Sequence, residues 1–230
     1  MGSAGWVGTV LRGALAEALT LVLPVACAGC DAPDVALCED CTAQLRPRAT
    51  RARSDTAVWS GLPFEGVPAR VVRALKEAGR TDLARDLAPA LRAAVEAAVA
   101  AASVPSGDPI VIVPIPTSRA AFRRRGYRVV EVVARRAGLR TARLLTSARS
   151  TLDQRGLDRA ERRRNVRHSL RARDAAGLRV VLIDDVVTTG ATLEEGMRAL
   201  RAGGAEVIGA ATIAATGRRR HQSEASETHR

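Results

Sequence analysis

Asp184 and Asp185 stand side by side after four apolar residues, and Thr188, Thr189, Gly190, Ala191 and Thr192 follow within a few positions. Adjacent carboxylates accept hydrogen bonds from vicinal hydroxyls, or meet a divalent cation. The small residues after them offer backbone N–H groups and threonine hydroxyls at the start of a new helical pattern. That arrangement cradles an anion and is favoured by the helix dipole. A carboxylate pair alone would repel a phosphate. A ligand with hydroxyls at one end and a phosphate at the other, a sugar phosphate, satisfies both halves of the motif. A chance β-turn with two solvated aspartates is the competing reading.

The four cysteines form two C-x-x-C pairs, Cys27 with Cys30 and Cys38 with Cys41, separated by seven residues. Each turn presents two thiolates, and two turns supply the four sulfurs of a tetrahedral structural Zn²⁺ site. Four thiolates fill the coordination sphere, so this zinc folds a segment too short to have its own core and does no catalysis. Two disulfides or a redox pair compete with that reading. A reducing cytosol disfavours the first, and a lone redox motif has no need of a second pair. His168, His221 and His229 make no triad pattern.

The elements that must position these residues follow from the apolar pattern. Residues 179–183 read as a buried strand, 192–202 as a helix, and 205–215 as a last strand. IVIVPIP (110–116) is a short strand closed by prolines, followed by a helix that ends at Gly138 as C-cap. Turn residues from 59 give way to a helix with Val71, Val72 and Leu75 on one face. A second helix over 81–102 opens on Thr81 as N-cap, with Pro89 placed to kink it. The alternation from 110 to 215 predicts an α/β fold, a parallel sheet flanked by helices. In such sheets ligands bind at the carboxyl ends of strands, where the acid pair stands.

Residues 1–23 read as an amphipathic helix and not a signal peptide, because a basic n-region is missing and Arg12 and Glu17 interrupt the apolar run. The organisation expected is an N-terminal helix and four-cysteine module over 1–50, the α/β domain over 51–217, and a disordered tail over 218–230. No run reaches the ~18 apolar residues of a membrane span, so a cytoplasmic protein is expected. Aromatic residues make up only 2%, against 47% hydrophobic, so the core must be built from Ala, Val and Leu. The net charge of +12 calls for an anionic partner, nucleic acid or a phosphorylated small molecule, although an Arg- and Ala-rich composition accounts for a share of it. Five aromatics, Trp6, Trp59, Phe64, Phe122 and Tyr127, are few for the stacking platforms of single-strand binding. Of the 36 basic residues only Lys76 is a lysine. A compact charge needed where a planar guanidinium does not fit, and chance, are both open for it.

The acid pair with T-T-G-A-T resembles the phosphoribosyl pyrophosphate (PRPP) loop of type I phosphoribosyltransferases. Across residues 20–216 the cysteine knuckle, FEGVPARVVRALKEAG, VPIPTSRAAFRRRGY, TLDQRGLDRAERRRNV and that loop occur in an order that resembles the ComF/GntX family. The resemblance implies a phosphoribosyltransferase-like fold with an N-terminal zinc knuckle. It implies PRPP and Mg²⁺ binding, transfer of a ribosyl phosphate to an unidentified base or amine, and a link to DNA uptake or nucleotide salvage. Single-stranded DNA and DNA-uptake or recombination proteins are the partners it suggests. A non-catalytic nucleic-acid-binding or nucleotide-sensing module is the alternative.

Residue by residue, the resemblance implies that Asp184 and Asp185 hold the ribose hydroxyls and that Thr188, Thr189, Gly190, Ala191 and Thr192 hold the 5′-phosphate. It makes PIPTSRAAFRRRG a pyrophosphate loop with Arg119, Arg123, Arg124 and Arg125 as ligands. It makes 151–166 a flexible loop closing over PRPP through Gln154, Arg162, Arg163 and Asn165. A solvated helix laced with ion pairs, such as Asp158 with Arg162, stands beside that reading of the polar segment. Two departures stand out. The family's R-G-F-N-Q is Arg125-Gly126-Tyr127-Arg128-Val129 here, and Thr117-Ser118 replaces its histidine-proline.

Overall fold

The structure, a computed structural model, describes residues 25–53, 57–104, 107–148 and 168–217. The helix expected over 1–23, the loop residues Gln154, Arg162, Arg163 and Asn165, and the tail lie outside the described residues.

After the cysteine turns comes a short helix α1 (Glu39–Gln44), then β1 (Thr50–Arg53) and β2 (Val58–Pro63), which lead into α2 (Gly66–Glu77). A 3₁₀ turn (Thr81–Leu83) opens α3 (Ala84–Ala101). β3 (Ile110–Pro114) is followed by α4 (Arg119–Arg125) and α5 (Val129–Arg136), then by β4 (Leu145–Ser147) and β5 (Leu170–Ala172). β6 (Arg179–Val187), α6 (Ala191–Ala202) and β7 (Glu206–Ala215) complete the order.

The main sheet runs β1-β2-β7-β6-β3. β2, β7, β6 and β3 are parallel, and β1 is an antiparallel edge. The runs 180–183 of β6 and 209–214 of β7 are buried because helices cover both faces of the sheet. The two-residue side-chain period divides the core into two layers. Val181 and Ile183 face α2, α3 and α5, whereas Val180 and Leu182 face α6 and the β4–β5 pair. Among the described residues no aromatic side chain is fully buried; the core is Ala, Val, Leu and Ile. Small residues let backbones approach closely. A Cβ built on Gly61 of β2 would lie 2.1 Å from the Ala90 carbonyl oxygen of α3. One on Gly196 of α6 would lie 2.8 Å from Ile115 Cδ1.

The structure corrects several expectations. Residues 58–63 are a strand where turn residues were expected. Ser60 and Gly61 read as punctuation, yet Ser60 is buried with its hydroxyl donating to the Leu62 carbonyl at 2.9 Å, and pairing with β7 makes the strand. Thr81 starts the 3₁₀ turn and does not cap α3, whose N-cap is Leu83 with no side-chain bond. Pro89 sits on the exposed side of α3 with helix on either side of it. Most of PIPTSRAAFRRRG is the helix α4 and not a loop. Ser118 Oγ accepts from the Ala121 N–H at 3.2 Å, and Gly126 closes the helix at φ +78°. α5 is capped by Ala137, and Gly138 takes the left-handed conformation one residue later. β6 continues through both acids to Val187, so the acid pair belongs to a strand and not to the turn after it.

Candidate functional site

β6 outruns its neighbour at the carboxyl edge. β3 ends with Pro114 opposite Ile183, and the Ile115 N–H donates to the Ile183 carbonyl at 2.9 Å. Asp184 and Asp185 follow immediately, paired only on the β7 side, with Asp184 opposite Thr212. The segments 115–118 and 188–190 therefore leave the same edge from adjacent strands. This is the place where open α/β sheets bind ligands.

Both acids are half-buried. Burial pushes the Asp184 carboxyl up to about 7, and the neighbouring Asp185 charge adds to this. The Asp185 backbone N–H, donating to Asp184 Oδ1 at 2.8 Å, and the charge of Lys76 pull the other way. Lys76 Nζ lies 3.0 Å from Asp185 Oδ1 and 2.9 Å from Oδ2, with side-chain exposures of 26% and 17%. The contact follows from the packing of α2. Val71, Val72 and Leu75 bury its apolar face, which fixes the helix and turns Lys76 of its last turn toward the sheet edge. The single lysine of an arginine-rich chain thus meets the acid pair. Its rarity was the only sequence signal for this role.

Tyr127 adds a second link to α2, its hydroxyl donating to the Leu75 carbonyl. Burial raises its phenol, and the charge of Arg125 acts to lower it. Arg125 carries a buried Nε with no hydrogen-bond partner. Such an orphan donor is costly unless something fills it. Of the four arginines singled out in this region, Arg119, Arg123 and Arg124 are exposed on α4, and only Arg125 is half-buried.

On the other side of the acids the chain turns into α6. Gly190 is its N-cap in the left-handed region, φ +82°, and is buried. Thr189 Oγ1 accepts from the Ala191 N–H at 3.4 Å. Thr188 and Thr192 are exposed. The first-turn N–H groups of a helix lack intrahelical partners, so this turn offers donors to an anion.

The cysteines converge. All four Sγ atoms lie within 4.8 Å of one another. Cys38 Sγ is 3.7 Å from both Cys27 Sγ and Cys30 Sγ. Metal–sulfur bonds of about 2.3 Å in a tetrahedron require S···S edges of about 3.8 Å, whereas a disulfide needs about 2.05 Å. Burial pushes the Cys27 thiol up, but N–H groups of Cys38, Gly29 and Cys30 outweigh it and bring the thiol down to about 6. Burial and the neighbouring sulfurs push Cys41 up instead. Four thiolates this close need a cation to be deprotonated together, and the donor set is one that zinc takes. A Cβ on Gly29 would sit 2.4 Å from Cys41 Sγ, so the turn closes tightly around the sulfurs. The module is stapled to α2. Arg80, just beyond that helix, donates to the Ala26 and Ala36 carbonyls at 2.7 and 2.8 Å, and Arg70 pairs with Asp31.

A mostly parallel sheet, an acid pair with a small-residue turn at its carboxyl edge and a four-cysteine module together define an α/β protein of the phosphoribosyltransferase type. Residues 89–229 match the phosphoribosyl transferase domain, and the chain belongs to that family, in its ComF branch. It is 30% identical over 109 residues to Competence protein F of Haemophilus influenzae, covering 44% of this chain and 48% of that protein. It is 32% identical over 144 residues to the DNA utilization protein YhgH of Salmonella typhi, covering 60% and 63%. The chain thus spans less than two thirds of either relative. Among solved structures it is similar to an allosteric regulatory enzyme of purine biosynthesis, 22% identical with a TM-score of 0.33 over 59% of this chain and 25% of that one. Among the described residues no helix is long and apolar enough to cross a membrane.

Proposed function

We propose that the protein binds PRPP with Mg²⁺ at the carboxyl edge of β6 and transfers its ribosyl phosphate to a nucleobase or related amine. The observation that carries this is the pair of half-buried acids beside an amide-lined turn that opens a helix of 12 residues. In this reading Asp184 and Asp185 accept from the ribose hydroxyls, and the turn from Thr188 to Thr192 takes the 5′-phosphate. Arg119, Arg123, Arg124 and Arg125 meet the pyrophosphate and give its approach a positive potential. Lys76 holds the Asp185 carboxylate in place and offsets the charge of the pair. Gln154, Arg162, Arg163 and Asn165 belong to the closing loop.

The bond from C1 to the pyrophosphate oxygen breaks as the bond from C1 to the acceptor nitrogen forms. Negative charge grows on the leaving oxygens, where arginine forks stabilise it. Mg²⁺ would enter with the phosphorylated ligand, with Asp184 and Asp185 the carboxylates placed to meet it, and would offset the charge growing on the leaving group. The four cysteines hold a structural Zn²⁺, and residues 51–217 form the transferase unit. The names of the two relatives support a role in competence or DNA use. In this reading the protein works in the cytoplasm.

Isothermal titration tests the reading. PRPP with Mg²⁺ should give heat with the wild type that Asp184→Asn/Asp185→Asn loses; equal heats from both proteins would end it. Pyrophosphate release with a panel of nucleobases then separates a transferase from a sensor.

A further inference from the structure

A groove of about 570 Å³ runs along the outer face of α5, beyond the β3 edge of the sheet. Phe122, Tyr127 and Arg128 form one end, and Arg135 and Arg140 the other, with Glu131 between. Its size falls in the range of roughly 300–1,000 Å³ typical of small-molecule sites. Charge alone says little in a chain this rich in arginine. The pairing is more informative. Glu131, the acid in this lining, is already taken by Arg143 Nε and Nη2 at 3.0 and 2.5 Å, and Arg128 Nε lies 3.6 Å away. Among the described residues Arg135 and Arg140 have no acidic partner.

The other end is aromatic in a chain with only five aromatics. The Arg128 guanidinium lies over the Phe122 ring at 4.3 Å. Here the R-G-F-N-Q departure acquires a use, because Arg128 stands where that motif has its asparagine. At 1.5 Å per residue, Arg128 and Arg135 are about 10 Å apart along the helix. A bare phosphate would leave the ring end empty, and a simple carboxylate would use neither ring nor fork fully.

We propose that this groove binds a nucleoside phosphate, its base stacked against the Phe122–Arg128 end and its phosphate held by Arg135 and Arg140. The site is separate from the acid pair and does not depend on the PRPP reading. A free nucleotide and one unit of a single strand share this chemistry.

The test titrates deoxyadenosine 5′-monophosphate, inorganic phosphate and a short deoxyadenylate oligomer into the full chain at low salt. Arg135→Ala/Arg140→Ala changes exposed side chains only and should bind the mononucleotide roughly tenfold more weakly, the loss of charge-assisted bonds to phosphate. Asp184→Asn/Asp185→Asn should keep the part of that binding that depends on Arg135 and Arg140. Phe122→Leu should weaken the mononucleotide and leave inorganic phosphate unchanged. If the oligomer binds more tightly and loses affinity in the same arginine variant, the groove takes a strand; if it binds no more tightly, the free nucleotide is the ligand. Absence of binding by mononucleotide and oligomer alike, or binding that survives in Arg135→Ala/Arg140→Ala, overturns the proposal. So does binding lost only in the acid-pair variant, which would put the nucleotide at the sheet edge. PRPP heats on the same samples report separately on the proposed transferase site.

Discussion

Asp184→Asn should make the protein more stable and less able to bind, and the gain should depend on pH. In the folded protein burial and the adjacent Asp185 raise this carboxyl from 3.8 to about 7. Between those values the folded state holds a proton that the unfolded chain has released. Wild-type stability therefore falls as pH rises, by about 1.4 kcal/mol per pH unit from this group. Stability is fully present below the unfolded value and is lost as pH climbs through the folded one. Over the window the ceiling is about 4 kcal/mol. Asparagine keeps Oδ1 as acceptor for the Asp185 N–H, now at 2.8 Å, and carries no charge to desolvate. The advantage of the variant should be near zero at pH 4, grow through pH 5 and 6, and level off above pH 7. Urea unfolding of both proteins at each pH, with unchanged m, measures it. A stability difference that stays flat across that range would refute the argument, because the carboxylate would then be as comfortable in the fold as in water.

Three further outcomes are expected. Lys76→Met leaves the acid pair without its countercharge and should cost about 1–3 kcal/mol at pH 8 by urea unfolding, more than an exposed ion pair loses; NMR titration of Asp184 should move above 7, and Lys76→Arg should restore only part of the effect. Gly61→Ala drives a methyl into the Ala90 backbone, and should lower the urea midpoint by the equivalent of about 1–3 kcal/mol. A strong chelator should release about one equivalent of zinc and lower the thermal midpoint, and since Arg70 and Arg80 dock the cysteine module beside Lys76, it should also weaken PRPP binding.

Much of this protein was legible in the linear chain. The acid pair with its threonine-glycine turn, the two C-x-x-C turns, the strand at Ile110 and the helix carrying Val71, Val72 and Leu75 are local patterns, and each reads from a few neighbouring residues. The seven-residue helix α4 was hidden inside a segment that resembles a binding loop, since two short turns of helix carry too little periodicity to announce themselves. β2 was hidden because its serine and glycine signal a turn, and only the parallel partner β7, some 150 residues further on, makes it a strand. Lys76 reaches Asp185 across 109 positions, and Arg125 keeps its Nε buried and unpaired for reasons set by α4 and its surroundings. Composition, spacing and period determined which chemistries the chain carries, because those depend on residue type and near neighbours. Which of them meet was decided by close helix-on-sheet packing at Gly61 and Gly196 and by the strand order that leaves β6 longer than β3, contacts between parts of the chain that no local pattern encodes.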